Sequence, residues 1–208
     1  SLGELGLYNF GYSIGIGLGA ITTGINQAWM PYYFGIMKKR ENPDSLIRKV
    51  VSTWFVLIGG LSLAAVLFIS EFMVLLLPSS YMGSLKFVYP LLFGSFLHGS
   101  YFFASMALFY FRKTRLIPVV TGIVAVLNIV INVLLIPRFG AIASAWINVF
   151  AEMVLVIIFY LVGRRYQKIN YPLQSYLLLI LIIFLTVIFL PNFQVISLSG
   201  LIIKLLFV

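Results

Sequence analysis

Glu152 and His98 carry the most chemistry in this sequence. Each falls near the middle of a long apolar run, and an ionised side chain at the centre of a bilayer costs about 2.5 to 3.5 kcal/mol even on insertion scales. A carboxylate and an imidazole at that depth can exchange a proton or bind a cation. Asn128 and Asn132 stand one helical turn apart, and Asn148 and Glu152 repeat the spacing in the next run, so each pair shares a helix face. If both faces point inward, they form part of a wet cleft. The same asparagines also suit bridging between packed helices, and a lone mid-span His suits donation to a carbonyl, so both readings stand at this point. Asn26 and Gln27, just ahead of Trp29 and Pro31, are candidates for an inner mouth. Pro90 is a hinge candidate, whereas Pro31, Pro118, Pro137, Pro172 and Pro191 lie at or near run ends, where a missing amide costs least.

Other chemistries lack their residues. Glu4, Glu41, Asp44 and Glu71 fall on different elements, so no paired-carboxylate site is expected; Glu71 lies toward the outer end of its run, within reach of water. One His and no Cys cannot build a His-rich zinc site, a thiolate metal site or a Cys-His nucleophile. No Gly-rich loop ends in Lys and Ser or Thr, so no nucleotide site is expected. No metal, no cofactor and no enzymatic activity are predicted.

The elements that position these residues follow from composition. Hydrophobic side chains make up 62% of the 208 residues and charged ones 9%, too little charge to cover a water-facing surface. The expected fold is all-α, a polytopic transmembrane bundle of six to seven spans. Apolar runs place spans near 7–35, 50–77, 86–110, 116–136, 140–162 and 173–190; a seventh begins near Val195 and is short of a full crossing by Val208. A β-barrel would alternate apolar and polar residues, and Leu177 to Leu190 does not.

Charge sets the orientation. Lys38, Lys39, Arg40, Arg48 and Lys49 lie in the first connection, Arg112, Lys113 and Arg115 in the third, and Arg164, Arg165 and Lys168 in the fifth; the even connections hold only Lys86 and Arg138. This asymmetry predicts cytoplasmic loops near 36–49, 111–115 and 163–172, with the chain start outside. The net charge of +9 therefore reflects topology, and no nucleic-acid partner is expected. The opening Ser1-Leu2-Gly3-Glu4 has no basic leader, and an outside start suggests a preceding span, so the sequence reads as a fragment. Asn42 can cap a helix beginning at Pro43 and Asp44, expected to run along the inner interface near 43–50 with Trp54 at headgroup depth; this segment reads as a topological anchor or a gate. Gly11, Gly15 and Gly19, followed by Ala20 and Gly24, and the opening Gly140, Ala141, Ser144 and Ala145 of the fifth span, give small faces for close packing, or for sliding in a transporter.

Leu134-Leu135-Ile136-Pro137-Arg138-Phe139-Gly140-Ala141-Ile142-Ala143-Ser144-Ala145, preceded by Asn128 and Asn132, resembles the outer hairpin of O-antigen-type flippases for lipid-linked oligosaccharide. Leu2-Gly3-Glu4-Leu5-Gly6-Leu7-Tyr8 before a Gly-rich span, and Pro31-Tyr32-Tyr33 before a basic loop, are similar to the same group. That group belongs to the multidrug/oligosaccharidyl-lipid/polysaccharide exporter superfamily, built as two six-helix bundles, some with two added helices. The resemblance implies that residues 1–170 form the C-terminal lobe lacking its first helix, and 171–208 the added helices, the last truncated. It implies alternating access, with polyprenyl-pyrophosphate-linked oligosaccharide flipped across the bacterial inner membrane for O-antigen, capsule or exopolysaccharide synthesis. Implied partners are the lipid bilayer, the glycolipid, H+ or Na+ and a polysaccharide polymerase machinery. One departure from the family's expected pattern is that no Arg or Lys lies at mid-span; the ionisable groups there are Glu152 and His98. The rival readings are an ion-coupled multidrug exporter of the same fold and a membrane-embedded glycan polymerase or ligase.

Overall fold

A computed structural model describes residues 2–39, 43–169 and 171–193. They form α1 (Leu2–Lys39), α2 (Asp44–Leu76), a 3-10 turn (Ser79–Ser84), α3 (Leu85–Tyr110), α4 (Leu116–Phe139), α5 (Ala141–Gly163) and α6 (Leu173–Phe193). No strand occurs among the described residues, and the fold is the expected all-α bundle. Asn42 and the segment from Val195 lie outside the described residues.

Five helical stretches are long and apolar enough to cross a membrane: α2, α3 with its preceding 3-10 turn, α4, α5 and α6 up to Pro191. The 38-residue α1 is long enough by rise but is not one of the five. Its glycines, Tyr8, Asn9, Tyr12, Asn26 and Gln27 dilute an otherwise apolar sequence. The outward surface is apolar: Val126, Ile129, Val130, Val133 and Leu134 on α4 are all exposed, which suits lipid rather than water. The chain is a membrane protein.

The helix expected to start near 43–50 does so at Asp44 and is the opening of α2, which continues without interruption for 33 residues. No proline lies between Asp44 and Leu76, and one stripe from Ile47, Val51, Trp54, Phe55 and Ile58 on to Ser62, Val66, Ser70 and Met73 faces the core along the helix. Trp54 is packed inward, its ring centroid 4.8 Å from that of Phe103.

Helix α3 is the axis of the bundle. It packs against α1, α2, α5 and α6 and is the most buried of the spans, whereas α4 leans on α5 and is mostly exposed. Small residues set the close approaches. A Cβ on Gly11 would fall 3.1 Å from Phe87 Cβ, and one on Gly15 would fall 3.1 Å from Ser95 Oγ, so both glycines seat α1 on α3. Ala145, fully buried, lets α5 settle against Phe87 and Leu91.

The connections gather at two ends. At one, the Tyr33 hydroxyl donates to Gln167, whose amide nitrogen donates to Asp44 Oδ1 at 3.2 Å, while Phe111 stacks on Tyr166. This joins the first, third and fifth connections. At the other, Lys86 pairs with Glu4 at 3.3 Å, and Gly140 lies beside the Glu4 carboxylate, joining the chain start to the second and fourth. The three basic connections therefore share one end of the bundle.

Candidate functional site

Helices α3 and α5 bring the two mid-span ionisable groups together. His98 Nδ1 lies 3.1 Å from Glu152 Oε2 and 3.2 Å from Oε1. Either the imidazole donates to an ionised carboxylate or a protonated carboxyl donates to the ring, so one proton sits between them. The rings of Tyr101 and Phe102 flank the imidazole at 5.3 and 5.4 Å. Glu152 is the more enclosed partner, with 17% of its side chain exposed against 41% for His98.

The pair opens into a cavity of about 490 Å³ between α1, α3 and α5, lined also by Tyr12, Gly15, Gly19, Thr23, Gln27, Ser95 and Asn148. A second cavity, about 260 Å³, lies beside it between α1, α4 and α5, lined by Tyr8, Asn9, Tyr12, Asn128, Asn132, Ser144 and Asn148. Tyr12 and Asn148 border both, so the two form one polar cleft along α1. Its walls hold amides, phenols, hydroxyls and glycines together with the apolar Ile16, Ala20 and Leu91, and Glu152 and His98 are the ionisable groups besides the phenols.

Local geometry fixes this lining. Gly94 leaves room for Asn148, since a Cβ there would fall 3.0 Å from Asn148 Oδ1. The Ser95 hydroxyl donates to the Gly15 carbonyl at 2.8 Å, tying α3 to α1 at the cavity wall. Asn132 Nδ2 donates to both the carbonyl oxygen and Oδ1 of Asn128 at 2.9 Å, which holds the α4 pair as a unit. The glycine face of α1 is divided in use: Gly11 and Gly15 meet α3, whereas a Cβ on Gly19 or Gly24 would meet nothing within 4 Å because both border the cleft.

Most of the residues singled out from sequence meet here. Glu152, His98, Asn128, Asn132, Asn148 and Gln27 all line the cleft. Asn26 does not; it is half-buried, with its Oδ1 enclosed and unpaired among the described residues. Pro90 is buried within α3, which continues past it to Tyr110, and it lines neither cavity. Glu71, expected near water, is instead 6% exposed and accepts a bond from the Ser70 hydroxyl at 2.7 Å. Position along a helix gave its depth but not the protein covering it.

Sequence reasoning passed over Tyr8, Asn9, Tyr12, Thr23 and Ser95. The signal was present: residues 8, 12, 16, 19, 23 and 27 recur at helical spacing in the least apolar helix, and all but Ile16 and Gly19 are polar or amphipathic. No cluster of three or more metal-ligating side chains occurs among the described residues. No family model matches this chain, and no curated protein or solved structure matches it at a significant level.

Proposed function

We propose that this chain is one lobe of an alternating-access transporter that flips polyprenyl-pyrophosphate-linked oligosaccharide across the bacterial inner membrane for polysaccharide synthesis. The carrying observation is the polar cleft in a bundle whose outer surface is apolar. A glycolipid presents the same division: its hydroxyl-rich head needs amide and phenol partners away from hydrocarbon, and its polyprenyl tail needs lipid. The residues 134–145 that resemble the flippase hairpin supply Ser144 to the cleft and lie directly after Asn128 and Asn132.

In this reading the head group travels along α1 while the tail stays in the bilayer. The His98 and Glu152 pair couples that movement to an ion, because a carboxylate sharing a proton with an imidazole inside a cleft can release it toward one side and regain it from the other. The positive-inside asymmetry orients the lobe, with the basic end toward the cytoplasm. No Lys or Arg lines the cleft, so the counter-charge for pyrophosphate comes from outside these cavities.

The same absence favours a second reading, an ion-coupled exporter of cationic small molecules that exchange for a proton on Glu152. The full-length protein in proteoliposomes separates the two. Translocation of a fluorescent polyprenyl-pyrophosphate oligosaccharide without efflux of a cationic dye supports the flippase. Dye efflux alone overturns it in favour of the exporter, and neither activity removes both.

A further inference from the structure

We propose that the cavity of about 260 Å³ between α1, α4 and α5 is a subsite for one neutral sugar ring, which it selects over acidic sugars; this rests on the flippase reading above. Its size lies just below the about 300 to 1,000 Å³ of pockets for drug-sized ligands, which suits one ring rather than an oligosaccharide.

Three features of the wall match a pyranose. First, Tyr8 and Tyr12 lie one turn apart with ring planes 11° from parallel and centroids 6.4 Å apart, and Tyr12 is 45% exposed. A phenol there offers an apolar face to the C–H side of a sugar and a polar tip to its hydroxyls. Second, Asn132 donates its amide hydrogens to the carbonyl oxygen and Oδ1 of Asn128, so the two form a fixed amide pair on the α4 wall. The paired amides give the α4 side of the cavity a neutral hydrogen-bonding wall for a sugar's hydroxyls. Third, Asn148 and Ser144 enter from α5, so donors and acceptors converge from three helices, as a ligand with hydroxyls all round requires.

The selectivity follows from charge. None of the seven lining residues bears a formal charge. At that end Lys86 is engaged by Glu4 and the exposed Arg138 is not among the lining residues, and in the neighbouring cavity His98 is engaged by Glu152. A uronic acid would bring a carboxylate into this space with no cation in its lining to receive it, a desolvation that neutral sugars avoid.

Saturation-transfer NMR on the full-length protein in nanodiscs tests this, with methyl N-acetylglucosaminide and methyl glucuronide as probes. The neutral glycoside is expected to bind about tenfold more tightly than the acidic one. Tyr12→Ala is expected to abolish its signal, whereas Tyr12→Phe, which keeps the ring face, retains it and shows that the fold persists. Equal binding of both probes, or an undiminished signal in Tyr12→Ala, overturns the proposal. No transfer to either probe in a protein that still flips glycolipid overturns the subsite and leaves the flippase reading standing. Loss of glycolipid translocation in the unaltered protein refutes the flippase reading itself.

Discussion

Gly163 closes α5 against α3, and an alanine there has no room for its methyl group. A Cβ on Gly163 would fall 2.6 Å from the backbone oxygen of Ala104 and 3.8 Å from Leu108 Cδ1. A helical carbonyl cannot rotate aside, so restoring an ordinary 3.4 Å contact requires the helices to part locally by about 0.8 Å. The surrounding packing resists this, because Leu108 and Phe159 are both fully buried at that seam. Overpacking of this kind costs about 1 to 3 kcal/mol. Chains of about 150 to 250 residues lose roughly 2 to 4 °C per kcal/mol, so Gly163→Ala should lower the apparent melting midpoint by roughly 2 to 12 °C. Fluorescence-detected size exclusion after heating in detergent reads the midpoint directly. Gly122→Ala is the control: a Cβ at Gly122 in α4 meets nothing within 4 Å, and alanine is the better helix former by about 1 kcal/mol. Its midpoint should hold or rise. An unchanged midpoint for Gly163→Ala, or an equal fall in both variants, would refute the close α3 to α5 contact.

Glu152→Gln keeps the shape of the side chain and removes its charge, and should reduce ion-coupled transport about tenfold or more with normal expression; unchanged transport takes Glu152 out of the mechanism. The chain has no cysteine, so single replacements report topology cleanly. Ser80→Cys should react with an impermeant maleimide from outside and Ser45→Cys only after permeabilisation, and the reverse pattern would invert the orientation. Burial, reinforced by Tyr33, Tyr176 and Asp44, holds the Tyr171 phenol above its ordinary value of 10.0. A raised folded-state value gives stability that is fully present below the ordinary value and is lost as pH rises above it, so the melting midpoint should fall as pH rises above about 10 and fall less in Tyr171→Phe. Equal alkaline loss in both proteins would count against that burial.

The helices were legible because hydropathy reports them directly: the run from Leu177 to Leu190, apolar at every position but Thr186, becomes the middle of α6, and the expected 116–136 becomes Leu116–Phe139. Four-residue spacing placed Asn128 with Asn132 and Asn148 with Glu152 on shared faces, since the helical repeat fixes that much. It did not fix which helix each face meets. The contact between His98 and Glu152 depends on the rotation and register of α3 against α5, set by Gly94, Ala145 and Gly163 acting across the interface. Glu71 was misread for the same reason, being judged by its place along α2 and not by what covers it. Tyr12 was missed because an aromatic residue in an apolar helix reads as packing until a cavity lies beside it.

The most direct test of a polar cleft along α1 is hydrophilic thiol accessibility at single cysteines, read on the full-length protein in membranes. Cysteine at Gly19, Thr23 or Asn148 should react readily with a charged methanethiosulfonate reagent, while cysteine at Val126 or Val133, exposed on α4, should not. If the cleft positions proved as unreactive as the α4 positions, water would not reach α1, and neither a glycan head group nor a coupling proton could pass along it.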